Sequence, residues 1–406
     1  MLGKKIKFEG VKGVGTVDLD LQEDQRVYTL IGTNGVGKTK TLEALFQVLF
    51  FTNSNVSKKR YRELATKKWV FESGKCGSFV MRLIGGLPAG DGLVIGDDFP
   101  PAAQRNGNAY LFVGAELDSH SSDLSASSYQ HNLPVIFLAS QSRGFIEHNQ
   151  ASQEIKSASI GSFDNRRNTY FKNVHAGIQS GFSSLNMNTN VEQWFVTLAQ
   201  SSNRFQKGAD NREVEISSVL KLLNILDSRI DPEYLEIDGD GRVSLKIENQ
   251  PRELSHLSTG FASILKIIQA IVSGYGCFTN ENSLEQVKGI VLIDEIESHL
   301  HLTWQAKIIP LLKQLFPNTT FYVTTHSSVV LSQLHEVEAY LLERSEDVVV
   351  RSKLLKHPNK AAIVDVLKDA FDIDLNKIKR NNMSAENQKV AKQQLLDLLT
   401  DASAAK

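Results

Sequence analysis

The chain has 406 residues, with 45 Lys and Arg against 46 Asp and Glu, for a formal net charge of −1. A hydrophobic fraction of 41% excludes a disordered or collagen-like chain and leaves room for two or three domains. Only two cysteines are present, Cys76 and Cys277, which excludes a disulfide framework or a cysteine-rich zinc site and fits a reduced, cytoplasmic setting. Met1–Gly15 lacks the apolar core of a signal peptide, and no apolar run approaches the roughly 20 residues that span a bilayer. No membrane partner is therefore expected. The near-zero charge argues against a chain that is basic overall but allows a local basic patch.

Residues 4–21 alternate loosely, with Ile6, Phe8, Val11, Val17 and Leu19 among the apolar positions, and predict one or two half-buried antiparallel strands. Arg26–Ile31 predicts a short apolar strand that runs into the Gly-rich turn Gly32–Gly37. A helix follows, marked by Leu42, Leu45, Phe46 and Leu49. Next comes a basic stretch with Lys58, Lys59, Arg60, Arg62, Lys67 and Lys68. Strands are expected at Ser78–Leu83, Tyr110–Val113 and Pro134–Ala139, separated by a Gly- and Pro-rich loop (Gly85–Gly107) and a Ser-rich loop (Ser119–Ser128).

Residues 145–230 read as mostly helical. Tyr234–Ile237 and Val243–Ile247 flank Asp238-Gly239-Asp240-Gly241 as a hairpin. Leu257, Phe261, Ile264, Leu265, Ile268 and Val272 mark one face of a further helix. Ile290–Ile293 is an unbroken apolar run of the kind buried on both faces in a parallel sheet. A helix over Trp304–Leu315 and a strand at Phe321–Val323 then complete a βαβ unit. The tail is expected to be helical over Ala361–Phe371 and Glu386–Leu399.

Four segments carry chemistry. Gly32-Thr33-Asn34-Gly35-Val36-Gly37-Lys38-Thr39 matches G-x-x-x-x-G-K-[ST] between a strand and a helix. Glycines let backbone N–H groups turn toward phosphate oxygens and the helix points its N-terminus at the anion; Lys38 supplies a point charge and the Thr39 hydroxyl a Mg²⁺ ligand. The bland alternative is a Gly-rich turn. Asp294 and Glu295 close the apolar strand at the edge where α/β sheets bind ligands. Asp294 suits a Mg²⁺ shell and Glu295 the polarising of an attacking water; the bland alternative is an acidic N-cap. His326 follows Phe321–Thr325 and is placed to meet a γ-phosphate, or is a satisfied histidine at a strand end. Leu257-Ser258-Thr259-Gly260-Phe261 opens a helix, with Ser258 as N-cap and Gly260 permitting close approach, and a capped helix alone would account for it.

Taken together, these segments resemble the ABC-type ATPase heads of the RecF, SMC and OLD-like group. The likeness lies in residues 32–39, L-S-T-G-F at 257–261, I-V-L-I-D-E at 290–295 and T-T-H at 324–326, with D-E-I-E-S-H-L-H-L-T-W-Q from Asp294 to Gln305 closest to standalone bacterial members. The resemblance covers residues 1–50 and 250–335 well, the middle only in layout. It implies an α/β ABC-type P-loop ATPase head with a mixed sheet, an antiparallel β flap and a helical subdomain. Residues 1–144 would form the N-terminal part of the core with the flap, 145–255 a helical insert ending in a hairpin, 256–345 the C-terminal part of the core and 346–406 a helical tail. It also implies ATP and Mg²⁺ as cofactors and at least a homodimer, in which Ser258 and Gly260 of one head meet the γ-phosphate held by Gly32, Asn34, Gly35, Gly37, Lys38 and Thr39 of the other. In such a head Glu295 acts as base, His326 as sensor, and Gln141, with Arg143 close by, as the Q-loop glutamine that joins Thr39 and Asp294 at the metal. Thr259 and Phe261 depart from the Gly and Gln usual in transporters.

No long coiled coil separates phosphate loop and signature. Only 80 residues follow His326, so a fused nuclease domain is not expected. Asp372-Ile373-Asp374 fits the D-x-D of such a domain, but reads as a solvated turn. A standalone head of this kind resembles the ATPase subunits of phage-defence pairs such as PARIS and Septu, which implies slow ATP hydrolysis controlling a separately encoded effector nuclease or toxin. The alternative is a RecF-like ATPase that binds DNA, for which Lys58–Lys68 with Tyr61 and Trp69 nearby would supply the contact.

Overall fold

In the computed structural model, the structure describes residues 5–11, 13–51, 53, 55, 79–84, 92–95, 110–113, 131–146, 161–202, 205–208, 210–360 and a few tail positions between 368 and 394. The basic stretch at 58–68, the Ser-rich loop and most of both expected tail helices lie outside these residues.

Eleven strands form one sheet, in the order β6-β5-β4-β1-β2-β14-β13-β3-β12-β11-β7. Five of them make the parallel half: β7 (Val135–Leu138), β11 (Gly289–Ile293), β12 (Thr319–Thr324), β3 (Val27–Ile31) and β13 (Ala339–Arg344). Every residue of β3, β7, β11 and β12 is buried, as expected of strands covered on both faces; β7 and β11 are apolar throughout, while β3 buries Thr29 and β12 buries Thr319, Thr320 and Thr324. The other half is largely antiparallel: β1 (Lys5–Val11), β2 (Gly15–Asp20), β4 (Phe79–Ile84), β5 (Gly92–Ile95) and β6 (Tyr110–Val113), joined to the core through β14 (Val350–Leu354). β5 and β6 pair in parallel. β5 lies inside the stretch that the sequence predicts to be a Gly- and Pro-rich loop; Gly-Leu-Val-Ile is a short apolar run that pairing on both sides turns into a strand.

Helix α1 (Lys38–Phe51) follows β3 directly. The insert contributes α2 (Phe163–Gln179), α3 (Val191–Ser201) and α4 (Glu213–Leu226), and then a three-stranded sheet of β8 (Ile230–Ile237), β9 (Val243–Ile247) and β10 (Gln250–Glu253). Gly241, at φ +81°, provides the left-handed residue of the expected hairpin turn.

Helix α5 (Thr259–Gly276) is not amphipathic in place. Its buried residues run almost unbroken from Gly260 to Gly276 and include Lys266 and Gln269, where sequence spacing predicts a single apolar face. It is the central helix of the molecule, packed against β7 and α4, and its Ser263 Oγ donates to Ser298 O in the turn after β11 (3.4 Å). The expected helix over 304–315 is instead α6 (Leu302–Gln305) and α7 (Ile308–Leu315). Pro310 lacks the N–H that would continue a helix from Ala306 and is tolerated only in a first turn, so the helix restarts at Ile308. Helix α8 (Ser328–Leu331) completes the core. Among the described residues no helix is long and apolar enough to cross a membrane.

Candidate active site

The parallel register brings the carboxyl ends of β3, β12, β11 and β7 to one edge, so the phosphate loop, His326, the acidic pair and residues 139–143 leave the sheet side by side. Backbone bonds tie the exits together: Asp294 N donates to Leu138 O (3.0 Å), Ile296 N to Thr324 O (3.0 Å) and Thr325 N to Leu30 O (3.3 Å).

In the phosphate loop Gly32, Gly35 and Gly37 all have positive φ, at +145°, +79° and +109°. A Cβ on Gly32 would sit 2.6 Å from Leu342 O, and one on Gly37 2.7 Å from Val14 Cγ1, so the neighbouring strand and the β1–β2 turn exclude any side chain there. Over Gly35 nothing lies within 4 Å. The cradle is thus closed by protein on two sides and open on the third. Thr33 and Asn34 stand exposed beside it, and it borders a cavity of roughly 660 Å³ that Leu342, Arg344 and Lys368 also line. Lys38 is buried, and its Nζ donates to Gly32 O (2.8 Å) and Thr33 O (3.0 Å). Burial lowers its pKa to about 8, against the pull of Glu297, Asp294 and Glu295.

Asp294 is buried, and its Oδ1 accepts from Thr39 Oγ1 (2.9 Å) and Thr324 Oγ1 (2.7 Å). Burial raises its pKa, while those two hydroxyls lower it. Glu295 is half-buried with φ +44°, a conformation that non-glycine residues adopt only when their surroundings hold them there. Its N–H donates to Thr324 Oγ1 (2.7 Å), its carbonyl accepts from Arg143 Nη1 (3.0 Å), and its Oε2 accepts from Ser298 Oγ (3.0 Å).

Arg143 is fully buried beneath the acids. Its Nη2 donates to Leu138 O (2.9 Å) and Asp294 O (2.6 Å), and its Nε has no hydrogen-bond partner. Burial lowers its pKa to about 10, which leaves it charged at neutral pH. Gln141, two residues earlier, has an exposed side chain on the turn after β7.

His326 is partly exposed, and its ring stacks near Phe371 with centroids 6.4 Å apart at 27°. Partial burial, then the Lys38 ammonium, push its pKa down. Ser258 caps α5, its side chain accepting from Phe261 N (3.3 Å). A Cβ on Gly260 would sit 3.2 Å from Trp304 Cδ1. Lys266 Nζ, further along α5, donates to Ser142 O (2.6 Å), at a residue with φ +65°. The structure thus links Thr39, Asp294, Glu295 and Arg143 through hydrogen bonds, with the Lys38 ammonium within electrostatic reach of both acids. Among the described residues no hydrogen bond links Ser258 or Gly260 to the phosphate loop. Sequence reasoning misses Thr324 and Glu297; the only signal for them is a hydroxyl doublet before His326 and a third acid two residues after Glu295.

Thr39 Oγ1 and Asp294 Oδ1 form a hard-oxygen pair of the type Mg²⁺ selects. Among the described residues no group of three or more His, Cys, Asp or Glu could hold a metal unaided. A cation here would complete its shell with phosphate oxygens and water, as Mg²⁺ does beside nucleotides. The open cradle, the buried ammonium and this oxygen pair fit Mg–ATP.

Residues 95–332 match the family model described as "AAA domain, putative AbiEii toxin, Type IV TA system". The chain belongs to this AAA-domain family. It is 23% identical over 353 residues to the Septu protein PtuA of Bacillus thuringiensis, covering 86% of this chain and 78% of that one. It is 24% identical over 391 residues to the retron Ec83 probable ATPase of Escherichia coli, covering 84% and 71%. A solved SMC head bound to the C-winged helix domain of ScpA aligns over 88% of this chain and 98% of that chain, with 14% identity and a TM-score of 0.41.

Proposed function

We propose that the protein binds and slowly hydrolyses ATP, dimerises through ATP-sandwiched heads, and in that state controls a separately encoded effector nuclease or toxin in defence against phage. The observation that carries the nucleotide reading is the contact of Thr39 with Asp294 below a glycine cradle and the buried Lys38. Membership of the AAA-domain family supports it, as does a relative named a probable ATPase. The defence role rests on the sequence resemblance to ATPase subunits of defence pairs, and a relative named as a Septu protein accords with it.

Each residue has a part that its surroundings suit. Thr39 and Asp294 would hold Mg²⁺, which when bound neutralises charge that develops on the phosphates. Lys38 binds the outer phosphates and the loop N–H groups orient them. Of the two acids that follow β11, Glu295 has one carboxylate oxygen, Oε1, with no hydrogen-bond partner among the described residues, so it can accept a proton from water or orient it. Arg143 and Thr324 hold its backbone in place from both sides. His326 would contact the γ-phosphate as a sensor, and Gln141, on the turn after β7, would join Thr39 and Asp294 at the metal. Ser258 and Gly260 would act in trans, which accords with the lack, among the described residues, of a hydrogen bond from either to the phosphate loop of their own chain.

Lys38→Ala tests the nucleotide reading. Affinity for a fluorescent ATP analogue should fall at least about 100-fold, the scale of a lost charge-assisted contact to phosphate; retained affinity would overturn it. The DNA-binding alternative rests on Lys58–Lys68 and predicts salt-dependent stimulation of hydrolysis by duplex DNA.

A further inference from the structure

We infer that Glu297 is a positioning residue that ties the switch histidine to the acidic strand. The inference rests on the role proposed above for His326. Glu297 lies in the irregular turn after β11, between Glu295 at φ +44° and His299 at φ +65°, and this turn is anchored to β12 through Ile296 N and Thr324 O. Both of its carboxylate oxygens are engaged by the next loop. Oε2 accepts from Thr325 Oγ1 (2.6 Å) and Oε1 from the backbone N–H of His326 (2.6 Å). Thr325 Oγ1 in turn accepts from Ser327 N (3.0 Å). One carboxylate therefore fixes three successive residues, 325 to 327, relative to the strand that carries Asp294 and Glu295.

The loop has a second anchor: Ser327 Oγ donates to Gln305 Oε1 (2.7 Å), and Gln305 Nε2 donates to Leu300 O (2.8 Å). Both anchors belong to the segment between β11 and α7, so the histidine is referenced to the acidic turn rather than to its own strand alone. This separates the two glutamates of D-E-I-E by task. Glu295 keeps an oxygen for water, whereas Glu297 commits both to the backbone and hydroxyl of the histidine turn. A charge-assisted hydrogen bond to a backbone N–H is of the stronger kind, and here it sets where the imidazole stands relative to the γ-phosphate position.

The test compares wild type, Glu297→Gln, Thr325→Val and the Glu297→Gln/His326→Ala pair in steady-state hydrolysis, fluorescent-nucleotide binding and amide hydrogen exchange. A glutamine can accept one of the two bonds but turns an N–H toward the other donor. Glu297→Gln should lower kcat about 10- to 100-fold, the worth of one charge-assisted bond, with KM and nucleotide affinity changed less than about threefold. Thr325→Val, which loses the hydroxyl's bonds to Glu297 Oε2 and from Ser327 N but keeps the bond from the His326 N–H to Glu297, should show a smaller loss of the same kind. Exchange should accelerate over residues 325–327 and not over 38–42. Adding Glu297→Gln to His326→Ala should cost nothing further, because both act through one imidazole. Unchanged kcat in Glu297→Gln, an equal loss in nucleotide affinity, or an additive double variant would overturn the inference. If wild type itself does not hydrolyse ATP, the proposed function fails instead, and exchange over 325–327 alone decides whether Glu297 holds the loop.

Discussion

At Lys38 the structure sets a chemical compromise. The ammonium, proposed above to meet the outer phosphates, is buried, and burial brings its pKa down to about 8. If phosphate binds Lys38 as proposed, it holds the proton there more tightly than the free protein does, so binding favours the protonated form. Affinity for a non-hydrolysable ATP analogue should therefore be constant below about pH 8 and fall as pH rises above it, by at most about tenfold per pH unit. Calorimetry between about pH 7 and 9.5 measures this; a flat affinity over that range would mean that the lysine keeps the pKa of an exposed side chain. The spacing of Gly32, Lys38 and Thr39 is legible because chemistry fixes it along the chain. Arg143 is visible only as a cation near Gln141, since its role depends on three carbonyls contributed by β7 and the acidic turn. Glu297 is invisible for a similar reason: its partners lie 28 and 29 positions away, across a strand pair.

Among the elements, strands that are apolar throughout are easy to read from sequence, whereas β5, β10, β13 and β14, which are short or mixed in polarity, are not. Gly-Ile-Val-Leu-Ile at β11 and the apolar run of β7 announce strands buried on both faces, and they are. Helix α5 reads as amphipathic because Lys266 and Gln269 look like solvent positions, whereas Lys266 reaches Ser142 O and the helix is buried nearly all round. The break between α6 and α7 shows local chemistry prevailing over periodicity, since Pro310 permits a helix start but not a continuation. Ser258 sits where α5 begins, and its two readings separate cleanly. As an N-cap only, its replacement by Ala should cost about 1 kcal/mol in denaturant unfolding and leave hydrolysis intact. Action in trans at the γ-phosphate predicts the same stability loss together with a fall in kcat of at least about tenfold, nucleotide affinity of the isolated head being unchanged. Hydrolysis at the wild-type rate in Ser258→Ala would remove the serine from the trans site.

For the whole molecule, the sheet order explains why the chemistry is divided between distant parts of the chain. β3 carries the phosphate loop early in the sequence, yet its neighbours are β12 and β13, which come some 290 to 310 residues later by the strand bounds. Topology, not proximity in sequence, assembles the edge where Lys38, Asp294, Glu295 and His326 meet. A net charge of −1 says little about partners, because the active edge itself sets the cations Lys38 and Arg143 against Asp294, Glu295 and Glu297. Two such heads are proposed to close around ATP, and Glu295 then to drive hydrolysis. Sedimentation of Glu295→Gln with and without Mg–ATP probes both steps at once. The expected result is a dimer that forms with Mg–ATP, persists because hydrolysis is blocked, and is absent when Ser258→Ala is added. A variant that binds ATP yet sediments identically with and without it, or that hydrolyses ATP at the wild-type rate, would refute the proposal.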